Sequence, residues 1–215
     1  MSQDANTGGA RLVAIAGGSC SGKTTQDVVT TQLRQLNLST DLVTITAGGN
    51  NLGFGQIITY CITALSDPTA GPACDTATDH AEDQITSGQL TNDVTTMIQS
   101  VRAAAPEAKI VVTGYPYLYD PVAPNPADPL SLFIGRATLL ANGLNGSIAT
   151  AAFLTNVEYV DVVGAFAGHG VNSLDPWINL DTTNPGSPNN FHPNGEGYRH
   201  GYYASLLNQD VFDLN

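Results

Sequence analysis

Four short apolar runs, Leu12–Ala16, Leu42–Thr46, Lys109–Thr113 and Val157–Val163, are each separated from the next by a stretch with helical spacing of apolar residues. No other feature constrains the fold as much. Short buried strands alternating with helices close into a parallel sheet covered on both faces, because each strand then needs a crossover to return to the same edge. The spacing predicts helices over Thr24–Leu36, Phe54–Leu65, about Asp79–Ala105 with a break at Gly88, Leu130–Leu154 and Gly197–Leu207. The expected architecture is a single three-layer α/β/α domain, flavodoxin-like and Rossmann-like, with a four-stranded parallel sheet. A length of 215 residues suits one such domain, expected over residues 11–215 behind a disordered tail of residues 1–10.

Composition narrows the partners. A formal net charge of −12, with only 7 lysines and arginines, provides no basic face for a polyphosphate backbone, so nucleic acid is not expected. No apolar run is long enough to span a bilayer. The N-terminus, MSQDANTGGA, lacks a charged-then-apolar leader pattern, so the chain as given is expected to stay in the cytoplasm.

The unusual residue clusters all follow strand ends, where ligands gather in parallel α/β sheets. They are Gly17–Thr24, Ala47–Asn51, Gly114–Pro116 and, after the Gly/Pro/Asn-rich stretch 164–194, Phe191–Asn194. The first, Gly17-Gly18-Ser19-Cys20-Ser21-Gly22-Lys23-Thr24, fits G-x-x-x-x-G-K-[ST] between an apolar strand and a helix, the context of a phosphate-cradling loop. Arg11–Thr25 resembles the opening strand and Walker A loop of uridine-kinase-like P-loop enzymes. That resemblance implies a phosphate site made by Gly17, Gly18, Ser19, Cys20, Ser21, Gly22, Lys23, Thr24 and Thr25. Lys23 would neutralise β/γ oxygens of a nucleoside triphosphate, and Thr24 would reach a magnesium ion. The plain alternative is a glycine-rich turn with a solvated lysine. No metal-holding acid or arginine is placed for phosphoryl transfer, Asp161 lying within a strand.

The segments TAGGNNLGF, GYPYLY, VDVVGAFAGHG, DPWIN and NFHPNGEGYRHGYYA resemble blocks of the SGNH (GDSL-type) hydrolases, a likeness running from about Cys20 to Ala204. The resemblance implies an ester-hydrolase rim on which Gly49 and Asn50 help form an oxyanion hole and His192 is the base. Without those blocks, Asn50 would read as a turn residue and His192 as loop packing. The family's GDS nucleophile block is absent, the GGND aspartate is Asn51, and Asn189 stands three before His192 where many members carry an aspartate. Some members orient the histidine with a backbone carbonyl instead. A slid register places Ser19 at the nucleophile position, making it the one candidate for that role.

The three cysteines include Cys61 and Cys74 around a short Pro/Gly-containing loop, spaced for a local disulfide in an oxidising setting. Cys20 is left over, either a small buried filler or, by the resemblance, the partner of a missing upstream cysteine. Taken together, the body resembles secreted bacterial hydrolases, and the segment before it resembles a nucleotide-binding loop. The expectation is an engineered or recombined chimera that binds phosphate or nucleotide with little or no turnover. Hydrolysis of a short carboxylester through Ser19, Asn50 and His192 is the second expectation.

Overall fold

A computed structural model of the chain describes residues 22–181, 183–184 and 187–214. The first turn is α1, Thr25–Asp27, continued by a π-helical turn over Val28–Gln32 and a 3-10 turn over Leu33–Gln35. Strand β1 (Leu42–Ile45) leads to α2 (Phe54–Ser66), α3 (Gly71–Thr86) and α4 (Gln89–Ala104). Strand β2 (Lys109–Thr113), the long α5 (Pro129–Thr155) and β3 (Glu158–Val160) follow. A π-helical stretch, Gly197–Tyr203, then runs into α6, Ala204–Asn208.

The sheet has the order β1-β2-β3 and is parallel, with Val43 beside Ile110 and Val112 beside Tyr159. Three of the four expected strands form it. The expected strand Leu12–Ala16, and with it the predicted pairing to Leu42–Thr46, lies outside the described residues. The last strand is shorter than the apolar run that predicted it, because the Asp161 carboxylate accepts the Val163 N–H at 2.9 Å and turns the chain out of the ladder.

Alternation along β2 explains the layering. Ile110 and Val112 join Leu90, Val94, Met97, Ile98, Leu144 and Ile148 in the larger core. Val111 faces the other way, into a second cluster with Leu42, Val160, Val162, Phe166, Ile178 and Val211. Successive side chains of a strand point to opposite faces, so apolar residues at both parities require cover on both sides. Each fully buried valine on these faces contributes roughly 1.5–3 kcal/mol relative to exposure.

The predicted helical stretch near Asp79–Ala105 is two helices. Gly88 breaks it with φ 77° at the start of α4, a left-handed conformation that favours glycine. Cys61 of α2 and Cys74 of α3 are joined by a disulfide across a Cα–Cα distance of 4.7 Å. Arg136 on α5 reaches Asp75, Asp79 and Glu82, one turn apart along α3, and ties those two helices together. The parallel strands all end at one edge, and the loops beginning at Thr46, Gly114 and Asp161 open there.

Candidate active site

The Asn50 loop is built from beneath. Gly48 takes φ 128°, and a Cβ there would stand 3.3 Å from the Leu144 side chain. Gly48, Gly49 and Leu52 are buried, which leaves Asn50 and Asn51 as the polar residues of the turn. The Asn50 side-chain amide donates to the Lys23 carbonyl at 2.9 Å. Asn51 accepts from the Thr25 N–H at 3.0 Å and donates to the Thr25 hydroxyl at 2.8 Å. The two asparagines thereby hold the chain entering α1 against the end of β1. Gly22, at φ 80°, borders with Asn50, Phe54 and Tyr60 an open depression of about 380 Å³.

Gly49, expected to help form the oxyanion hole, has its N–H engaged within the protein. Its N–H donates to the Tyr115 hydroxyl at 3.2 Å, behind the rim. Burial pushes the Tyr115 phenol up to about 12, the Gly49 bond opposing the shift, so Tyr115 is a neutral acceptor. The Tyr115 backbone is itself pinned at both ends by Asn145, which accepts from its N–H at 2.8 Å and donates to its carbonyl at 2.9 Å.

His192 lies exposed on the same rim. Phe191, just before it, packs edge-on against Phe54 at 6.4 Å between ring centres, which joins the histidine loop to the start of α2, four residues beyond Asn50. The His192 Nδ1 lies 3.0 Å from the Asn190 carbonyl oxygen. A carbonyl can only accept, so Nδ1 carries a proton, and in the neutral ring Nε2 keeps its lone pair. Asn190 is buried, and its side chain accepts from the Asp181 N–H at 2.7 Å and donates to the Asn184 carbonyl at 3.0 Å. This fixes its backbone.

Between them Phe191 takes φ 63°, rare for an aromatic residue. Two backbone bonds to Asn179 offset that strain, Phe191 N–H to its carbonyl and its N–H to the His192 carbonyl, each at 2.8 Å. Asn194 then caps the last helical segment by accepting from the Glu196 and Gly197 N–H groups at 3.0 Å. Asn189 meets the histidine through its carbonyl, which accepts the His192 N–H at 3.2 Å. The carbonyl that orients the ring belongs to Asn190, and no side-chain pattern in the sequence marks it.

The expected phosphate loop falls partly outside the description: Gly17, Gly18, Ser19, Cys20 and Ser21 are not among the described residues. The rest of it is committed elsewhere. Lys23 Nζ pairs with the Asp27 carboxylate at 3.1 Å. The Thr24 hydroxyl donates to Asp27 at 3.0 Å and accepts the Asp27 N–H at 3.3 Å, a reciprocal helix cap. The Thr24 N–H and then Lys23 hold the Asp27 carboxyl below its usual range. Thr25 is buried against Asn51. The Gly-Lys-Thr run thus starts a helix and turns its lysine and hydroxyl toward its own aspartate.

Residues 3–200 match the GDSL-like Lipase/Acylhydrolase family, and the chain belongs to that family. It is 32% identical over 190 residues to a lipase of Streptomyces rimosus, covering 87% of this chain and 67% of that relative. Lipase 2 of Streptomyces coelicolor is 32% identical over 219 residues, covering 91% of this chain and 70% of the relative. The solved structure of an extracellular lipase from Streptomyces rimosus superimposes with a TM-score of 0.76 at 31% identity. That of phospholipase A1 from Streptomyces albidoflavus NA297 gives 0.76 at 32% identity, and each covers 88% of this chain and 77% of the solved one.

These relationships overturn the nucleotide-binding expectation. The family match, residues 3–200, spans Gly17–Thr25, nothing in the comparisons supports a second source, and the relatives are lipases and a phospholipase. The hydrolase alternative is the one supported. No described helix is long and apolar enough to cross a membrane.

Proposed function

We propose that the chain is a carboxylester hydrolase whose base is His192 and whose oxyanion is held by the Asn50 side-chain amide and the Gly22 backbone N–H. One observation carries the reading: the Asn190 carbonyl fixes the proton on His192 Nδ1 at 3.0 Å, leaving Nε2 to accept another. A histidine held in that tautomer takes a hydroxyl proton as the oxygen attacks an acyl carbonyl, then returns it to the departing alkoxide. Water repeats the sequence on the acyl-enzyme. The negative charge passing through the carbonyl oxygen is met by N–H groups at the depression that Gly22 and Asn50 share. Asn190 takes over the orienting work that Asn189 does not.

The nucleophile is assigned to Ser19. It lies three residues before Gly22 in the chain. The substrate class is a carboxylester, in keeping with the lipases and phospholipase among the relatives; a net charge of −12 repels substrates of net negative charge at long range. The Cys61–Cys74 disulfide suits an oxidising compartment outside the cytoplasm.

Labelling with a fluorophosphonate, followed by peptide mass spectrometry, tests the assignment. The adduct is expected on Ser19 and lost in His192→Ala. An adduct on another residue overturns the Ser19 assignment, and labelling indifferent to His192 overturns the mechanism.

A further inference from the structure

Asn51 makes more directed bonds than the turn it belongs to requires. Besides its two bonds to Thr25, its Nδ2 donates to the Asp93 carboxylate on α4 at 3.3 Å. Asp93 is steadied from its own helix by Gln89, whose Nε2 donates to the other carboxylate oxygen at 2.7 Å. Helix α4 is anchored in the core there, Leu90 and Val94 being fully buried. A continuous polar bridge therefore runs from a rigid helix through Asn51 to the buried Thr25, two peptide units from the Lys23 carbonyl that receives the Asn50 amide.

The chemistry of the pair is one-sided. Asn51 needs its amide N–H groups for both Asp93 and the Thr25 hydroxyl. A carboxylate at position 51 would donate to neither and would face a like charge at hydrogen-bonding distance. The two positions therefore need one amide and one acid.

We propose that Asn51 and Asp93 form a complementary amide–carboxylate pair of positioning residues that sets the Asn50 amide against Gly22. The kinetic part of this inference rests on the ester-hydrolase reading; the geometric part does not. With Asn51 free to turn, the Asn50–Lys23 bond loses its flanking restraint, and the oxyanion donors lose their alignment more than the substrate loses its contacts.

The test is a charge swap with two readouts. In p-nitrophenyl ester hydrolysis, Asn51→Asp should lower kcat about tenfold with KM little changed, and Asn51→Asp/Asp93→Asn should return it to within about threefold of the parent. In nitrogen-labelled NMR spectra, Asn51→Asp should shift the Gly22–Thr25 amides and the Asn50 side-chain amide, and the swap should bring them back. Parent-like spectra in Asn51→Asp, or a swap no closer to the parent than the single variant, would overturn the proposal. If Asn51→Asp does not fold, Asp93→Ala removes the acceptor without adding charge. It should still move the Asn50 amide resonances and lower kcat about threefold, and parent values in both would overturn the bridge. If the parent and His192→Ala hydrolyse the ester equally, the hydrolase reading falls, and the NMR comparison decides the bridge alone.

Discussion

The two halves of the rim are held by different physics. The Asn50 loop sits on the body of the protein: Gly48 packs against Leu144, Leu52 is buried, and Tyr115, Thr25 and Asp93 grip the loop from three elements. The His192 loop, from Gly164 to Asn194, sinks Phe166 and Ile178 into the smaller core, but the turns that carry His192 stand on hydrogen bonds. Asp120 accepts from the Gly168 and Gly170 N–H groups at 2.9 and 3.1 Å, His169 stacks on Trp177 at 3.6 Å, and Asn179 and Asn190 cross-brace the final turn. Leu180 is partly in solvent and Leu174 fully so. The proposed oxyanion donor is thus fixed mainly by packing and the proposed base mainly by a mesh of turns, which means that substitutions act on the two through different quantities.

The largest expected effect is in the histidine loop. At Gly170 a Cβ would run into the Asp120 nitrogen and the Tyr119 carbonyl carbon, both backbone atoms and not the far end of a flexible side chain. Gly170→Ala should cost about 2–3 kcal/mol in denaturant unfolding. Gly164→Ala, in the same loop with open space around its Cβ position, should stay within about 0.5 kcal/mol. Equal costs would mean that the loop is held by something other than the Asp120 contact.

The packed half breaks through one hydroxyl. Tyr115→Phe keeps the ring against Gly49 and leaves the Gly49 N–H without its acceptor, costing about 1–3 kcal/mol of stability. Ester turnover should fall about tenfold in kcat as the loop beside Asn50 shifts. Unchanged stability and kcat would show that the Asn50 loop needs no support from β2.

Alkaline pH should weaken the same half. Burial raises the phenols of Tyr115 and Tyr159 to about 12 and that of Tyr202 well above the ordinary 10.0. The folded state therefore keeps protons that the unfolded chain releases. This contribution is fully present below 10.0 and is lost as pH rises toward about 12. Melting temperature should decline through that window, less steeply in Tyr159→Phe; an equal decline would remove Tyr159 from the account.

The smallest effect is at Lys23. Its pair with Asp27 is solvated, the lysine side chain being 44% exposed, so Lys23→Ala should leave melting and ester kinetics nearly unchanged. Magnesium with ATP should not raise the melting temperature of the parent. A rise that depends on Lys23 would contradict the helix-cap geometry.

The apolar runs Leu42–Thr46 and Lys109–Thr113, the Gly88 break and the long helix after Asp128 are legible in sequence because period and helix breakers encode them directly. The end of the last strand is not, since one Asp161 side chain outcompetes the ladder. At the site, Asn50 and His192 stand out in their blocks, but the Asn190 carbonyl leaves no mark because every residue carries one. The Lys23-Thr24 signature misled for a related reason. A glycine, a cation and a hydroxyl also begin a capped helix, and Asp27, the residue that decides between the two uses, lies just past the motif.

The most direct measurement is kcat/KM for a p-nitrophenyl ester in the parent and in His192→Ala, with folding of both verified by melting. The carbonyl-oriented base predicts a fall of about 10²–10⁴-fold. A folded His192→Ala that retains the parent's turnover, or a folded parent with no turnover above its buffer, would contradict it.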